Sequence, residues 1–207
     1  MNVIIDLFIR GGPLMWPLLV CSLCSLTVSI ERLFFWLGER AHKNPALVSE
    51  VLRLGREGRP EKALALLEEE IGKQDMTARL LRHGLLHCGG EPGLHLEQKA
   101  AELIARCKRG LRVLETIIAI APLLGILGTV LGIIDSFNIL GLQGITNPQG
   151  VVSGIAVALI TTAFGLFIAI LSIVPYNLFV HLLQKQAGLL EHSGTLLQAF
   201  LEKGKPQ

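Results

Sequence analysis

The chain has 207 residues, 51% of them hydrophobic, 17% charged and 5% aromatic, with 22 glycines and 9 prolines. That is too apolar for an ordinary soluble domain, and glycine and proline are commoner in membrane-spanning helices than in soluble ones. The net charge of +2 is small, and no basic stripe interleaved with aromatic residues points to nucleic acid.

The first apolar segment, "GGPLMWPLLVCSLCSLTVSI", begins at Gly11 and continues through Phe34, Phe35 and Trp36. About 20 apolar residues suffice to cross a bilayer, so a span is expected over 12–37. Asp6 and Arg10 make a poor basic leader and no small-residue cleavage site follows, so a signal peptide is not expected. Cys21 and Cys24 form a C-x-x-C inside this helix, without the strand–turn–helix setting of a redox motif. They read as small packing residues.

Residues 38–113 read as a helical segment. Asn44 and Pro45 form a cap and first-turn pair, and Gly58 with Pro60 marks a break. Leu64, Leu67 and Ile71 recur at helical spacing as a packed face, while the charge run 68–70 is its solvated side. After "CGGEPG" a long helix is expected to start near Leu94 and run unbroken through "EQKAAELIARCKRGLRVLETI" into the second span. His83 and His87 stand four apart, with Cys88 beside them and His95 nearby, a spacing that could hold zinc. The surrounding residues are ordinary helix formers, so no metal site and no cofactor are expected. No G-x-S-x-G, Walker loop or H-E-x-x-H occurs, and an enzyme is not expected.

The second span is expected over 114–140, around "TIIAIAPLLGILGTVLGII", and the third over 151–182, after "GLQGITNPQG" as a short turn. Most of the 19 lysines and arginines fall between spans one and two, and none falls in the short turn. The positive-inside rule then places 38–113 and the C-terminus in the cytoplasm, and the N-terminus and short turn outside. The fold class is an all-α membrane protein, a single domain over 1–207 with three transmembrane helices and long cytoplasmic helical extensions.

Spans two and three carry small residues at helical steps. Ala121, Gly125 and Thr129 fall four apart, with Gly128 and Gly132 on the adjoining edge; Ala158, Thr162, Gly165 and Ala169 follow steps of four, three and four. Such faces let helix backbones approach closely. They also describe a slot in which Thr129 and Thr162 offer hydroxyl oxygens to an ion, water or a partner side chain. Periodicity leaves both readings open.

"IAPLLGILGTVLGIIDSF" followed by "GIAVALITTAFGLFIAI" and Tyr176-Asn177 resembles the two signature helices of the MotA/TolQ/ExbB ion-channel family. The opening "GGPLMWPLLVCSLCSLTVSIERLFF" is similar to the first helix of the ExbB-like members, and three spans rather than four fit the ExbB/TolQ branch. The resemblance implies an inner-membrane motor: a homo-pentameric ring whose spans two and three line a pore. That pore would be threaded by a dimer of an ExbD/TolR-like single-span partner bearing a membrane aspartate. A TonB/TolA-like energy transducer would pass ion-driven work to the cell envelope, as in TonB-type import. Thr129 and Thr162 match the family's pore threonines. With Thr161, Ala158 and Gly165 they are the expected ion pathway. Pro122 matches its helix-two proline, and Gly125, Gly128, Gly132 and Ala169 are expected to pack helices. Val157 stands where ExbB and TolQ proper carry a glutamate, and Leu171 where they carry a proline. A second class of function is a non-conducting membrane scaffold whose small-residue faces serve assembly alone.

Overall fold

A computed structural model describes residues 8, 11–69, 75–88, 91–143 and 148–203. Among them seven helices can be bounded and no strand occurs: α1 Met15–Ala41, α2 Pro45–Arg56, α3 Pro60–Glu69, α4 Met76–Leu86, α5 Pro92–Lys108, α6 Leu111–Gln143 and α7 Pro148–Lys203. Helices α1, α6 and α7 are long and apolar enough to cross a membrane. The chain is an all-α protein with three such helices. Ile71 of the expected packed face and the core of the short turn, 144–147, lie outside the described residues.

Local chemistry explains the helix ends. The Asn44 side chain accepts from the Leu47 backbone N–H at 3.1 Å, and Pro45 opens α2, where a missing N–H is no loss. Gly58, at φ +69°, supplies the left-handed residue that ends α2 and lets Pro60 begin α3. The expected unbroken helix from Leu94 into the second span is not observed. It starts earlier, at Pro92, and stops at Lys108; Arg109 is extended at φ −58° and ψ 134°, and Gly110 adopts φ +80° before α6 begins at Leu111. Glycine reaches positive φ at no steric cost, so this one residue divides a run that is otherwise helix-forming throughout.

The structure divides into two compact units, one from the described residues of Met1–Glu31 and Gly110–Leu178, the other from those of Arg32–Arg109 and Phe179–Gln207. In the second, α2 packs on α3 and α4, α3 on α4, and α4 on α5. Its core is made of Val51, Leu67, Leu80, Leu81, Leu103, Leu190 and Leu197, while Leu64 is only half-buried and Glu68 and Glu69 are exposed. Asp75 caps α4 by accepting from the Ala78 N–H at 2.8 Å, and Glu39 accepts from the Met76 N–H. Two carboxylates thus meet the positive end of one helix dipole. Burial nevertheless raises Asp75 above the usual carboxylate range. At the C-terminal end of α5, the buried Arg32 guanidinium donates to the Arg106 carbonyl at 3.1 Å, satisfying a last-turn acceptor of that helix, and lies 4.7 Å from the Phe35 ring centroid.

In the first unit a small apolar core forms from Met15 and Leu18 of α1, Ile117 and Ala121 of α6, and Ile168 of α7. Three spans therefore share one contact region, and it is here that the small residues lie.

Candidate functional site: a glycine seam between two spans

The α6–α7 contact is built from absent side chains. A Cβ placed on Gly165 would lie 2.5 Å from the Ala121 carbonyl oxygen and 3.1 Å from Gly125 Cα; one on Gly125 would lie 3.0 Å from Thr162 Cα. Farther along, a Cβ on Gly132 would lie 2.7 Å from the Gly154 carbonyl oxygen. These neighbours are backbone, which has little freedom to retreat, so each position requires glycine for close approach. The seam runs from Ala121 through Gly125, Gly128 and Gly132 on α6, against Gly165, Thr162, Thr161, Ala158 and Gly154 on α7. Lipid offers no hydrophobic drive for helices to associate, and close backbone packing takes its place.

Hydroxyls close the seam by bonding to carbonyls. Thr162 Oγ1 donates to the Gly125 carbonyl at 2.8 Å, a direct bond between α6 and α7. Thr161, fully buried, has the Val157 and Gly11 carbonyls at 2.8 and 2.9 Å and shares its single hydrogen between them. It ties α7 to the residues before α1. Ser172 donates to the Ile168 carbonyl at 2.7 Å, so its 2.6 Å bond with Ser25 must be donated by Ser25, joining α1 to α7. Thr129, half-buried, donates to the Ile126 carbonyl of its own helix at 2.6 Å. For Thr161, Thr162, Ser172 and Thr129 the hydrogen is committed to backbone, while the hydroxyl oxygen keeps its capacity to accept.

Of the expected residues, Gly125, Gly128, Gly132, Ala158, Thr161, Thr162 and Gly165 meet along this seam, whereas the Thr129 hydroxyl bonds within its own helix. Ala158, Gly165, Ala169 and Thr161 are buried within this single chain, whereas Thr129 and Thr162 are half-buried. Pro122 lies half-buried inside α6, where it removes the N–H that would bond Ile118. Spanning helices tolerate that loss. Val157 faces the turn before α1, its Cγ1 positioned 3.3 Å from where a Cβ on Gly12 would be. Sequence reasoning missed Ser136, Gly154, Ser25 and Ser172. Ser136 is buried, donates to the Gly132 carbonyl at 2.8 Å and fills the space beside Gly154. The signal was present: Gly128, Gly132 and Ser136 continue by fours, as do Gly154 and Ala158.

Residues 73–192 match the MotA/TolQ/ExbB proton channel family. The chain belongs to that family. It falls in the ExbB-like branch. It is 36% identical over 202 residues to the biopolymer transport ExbB-like protein 1 of Synechocystis sp., covering 94% of this chain and 78% of that one. With the ExbB-like protein 3 of the same organism the identity is 36% over 186 residues, covering 87% of each. With the biopolymer transport protein exbB1 of Vibrio cholerae it is 30% over 197 residues, covering 92% of this chain and 85% of that one. ExbB-family members are not enzymes, and the resemblance carried by the GTV and TTAFGL motifs identifies the family correctly.

Family membership makes the charge inventory of the seam informative. Between residues 116 and 134 of α6, and from 148 to 184 of α7, there is no Asp, Glu, Lys or Arg. Glu115 and Asp135 flank the α6 stretch, and both are exposed. The seam can accept hydrogen bonds, but none of its residues titrates near neutral pH. As for metal ligands, among the described residues His83, His87 and His95 of the other unit form a cluster.

Proposed function

We propose that this chain is the ring-forming subunit of a proton-motive-force-driven motor in a bacterial inner membrane. Both units act together as one subunit, with the N-terminus periplasmic and the C-terminus cytoplasmic. Five copies form the ring, and a dimer of an ExbD/TolR-like single-span partner occupies its pore. A TonB/TolA-like transducer passes the work to the envelope, as in biopolymer transport of the TonB type. The observation that carries this reading is a family seam with paired threonines and no acid. A charge at the bilayer centre costs about 2.5–3.5 kcal/mol on insertion scales, so a membrane acid is kept only where it works. In this system that acid is the partner's aspartate.

The hydroxyl geometry supports a specific division of labour. Thr162 and Thr129 donate to backbone, so at rest they present acceptor oxygens to the pore. An acceptor favours the protonated carboxyl, which donates; the ionised carboxylate can be met only if a hydroxyl turns and releases its carbonyl. The threonines thereby stabilise the proton-loaded partner. The test is proton flux in liposomes holding this chain alone, this chain with its partner, and the Thr162→Val chain with its partner. Flux is expected only with the partner, reduced about tenfold in Thr162→Val with assembly retained. Flux from the chain alone would overturn the shared site, and absence of flux in every arrangement would favour the scaffold reading.

A further inference from the structure

We propose that His83, His87 and His95 form a metal site on the α4–α5 hairpin, selective for divalent transition ions that prefer imidazole, with Zn2+ the best fit. The three side chains come from two helices, His83 and His87 at the end of α4 and His95 in the first turns of α5. Their ligand nitrogens lie within 4.8 Å of one another. Ring centroids are 4.4 Å apart for His83 and His87, 4.5 Å for His87 and His95, and 6.2 Å for His83 and His95. A tetrahedral zinc with bonds of about 2.0–2.1 Å holds its nitrogens about 3.3 Å apart, within reach of side-chain rotation. Three imidazoles leave the fourth position to water or an exchangeable ligand.

Two further observations favour a built site over chance proximity. His87 Nδ1 lies 2.9 Å from the His83 carbonyl, which can only accept, so Nδ1 carries the proton and Nε2 is left with its lone pair. A backbone carbonyl holding the other ring nitrogen is the usual support of a metal-bound histidine. The hairpin register is also locked beside the ligands. A Cβ on Gly84 would lie 2.6 Å from Leu96 Cδ2, so the residue after His83 is pressed against the residue after His95. Lys99 is the adverse charge nearby, and its 2.7 Å pair with Glu102 offsets it. His87 is exposed, giving an ion a route in.

The site would join α4 to α5 and couple the hairpin to metal supply, a property separate from ion conduction in the spans. The test uses the full-length chain in detergent without a polyhistidine tag, titrated with Zn2+ and, separately, Mg2+, and followed by calorimetry and thermal unfolding. One Zn2+ per chain is expected, with a rise in unfolding temperature that a chelator reverses, and no Mg2+ uptake. His87→Gln, at an exposed position, and His95→Gln should each weaken binding about tenfold or more. His192→Gln, exposed on α7, should leave it unchanged. Co2+ bound to the unaltered chain should show the intense d–d absorption of a tetrahedral site, a readout independent of any variant. No Zn2+ uptake by the unaltered chain, or uptake unaffected by both histidine substitutions, would overturn the proposal.

Discussion

The α6–α7 pair and the α2–α5 helices solve the same packing problem by opposite means. In α2–α5 the contacts are large side chains: Leu67, Leu80 and Leu81 are 0% exposed, and their solvent faces carry ion pairs such as Arg53–Glu50 at 2.6 Å and Arg106–Glu102 at 2.9 Å. In α6–α7 the large side chains point away, with Leu123 62%, Phe137 67% and Leu159 64% exposed, while glycine, alanine and hydroxyl residues make the contact. The difference follows from the solvent. Water drives leucines together; lipid is as apolar as leucine, so only close backbone approach and hydrogen bonds distinguish one helix face from another. Exposure of large apolar residues means something different in the two regions, and the same substitution should have opposite weight in each.

The largest expected effect is at Gly165. Gly165→Leu forces a branched side chain onto the Ala121 carbonyl, so the spans should separate and the ring proposed above should be missing from native mass spectra of the purified protein. An intact, active oligomer would show that close approach at the seam is dispensable. Next comes Leu81→Ala, a cavity in the leucine-packed core, expected to cost about 2–5 kcal/mol in unfolding measurements. Leu123→Ala on the exposed face of α6 should cost less than about 0.5 kcal/mol in the same detergent. Equal losses at the two leucines would break the contrast.

A smaller and more specific difference concerns thiols. Cys107 is buried, and its Sγ donates to Met76 Sδ at 3.4 Å, while Cys88 is half-buried. Burial first, then the Glu39 carboxylate, pushes the Cys107 thiol up to about 11, against the ordinary 9.0. Only the thiolate reacts, so at about pH 8 a thiol reagent should modify Cys88 in the folded protein and reach Cys107 only after unfolding. The folded state holds this proton more tightly than the unfolded one. The Cys107 contribution to stability is therefore complete below pH 9.0 and is lost as pH rises towards 11. Alkaline unfolding of Cys107→Ala should lack that component. The smallest effect is at Gly188, exposed on α7, where nothing lies within 4 Å of an added Cβ. Gly188→Ala should stabilise the helix by about 0.5–1 kcal/mol, the reverse of any substitution at Gly165.

Much of this protein is written in short-range terms. Apolar runs longer than a bilayer is thick, the Asn44–Pro45 start of α2 and the Gly58 stop depend only on neighbours along the chain, and so they could be read directly. The steps of four through Gly125 and Gly165 are local too, since helical periodicity alone places them on one face. Which backbone each glycine meets is not local. Gly165 requires Ala121, Thr162 requires the carbonyl of Gly125, and Thr161 reaches Gly11 across 150 positions. Threonine has the same composition whether it lines a pathway or closes a contact; only the placement of a carbonyl decides where its hydrogen goes. Gly110 is the reverse case, a residue whose identity allowed the break before α6 while the surrounding helix formers concealed it. The histidines complete the pattern: spacing paired His83 with His87, but His95 joins them because Gly84 and Leu96 bring two helices close enough for three imidazoles to meet.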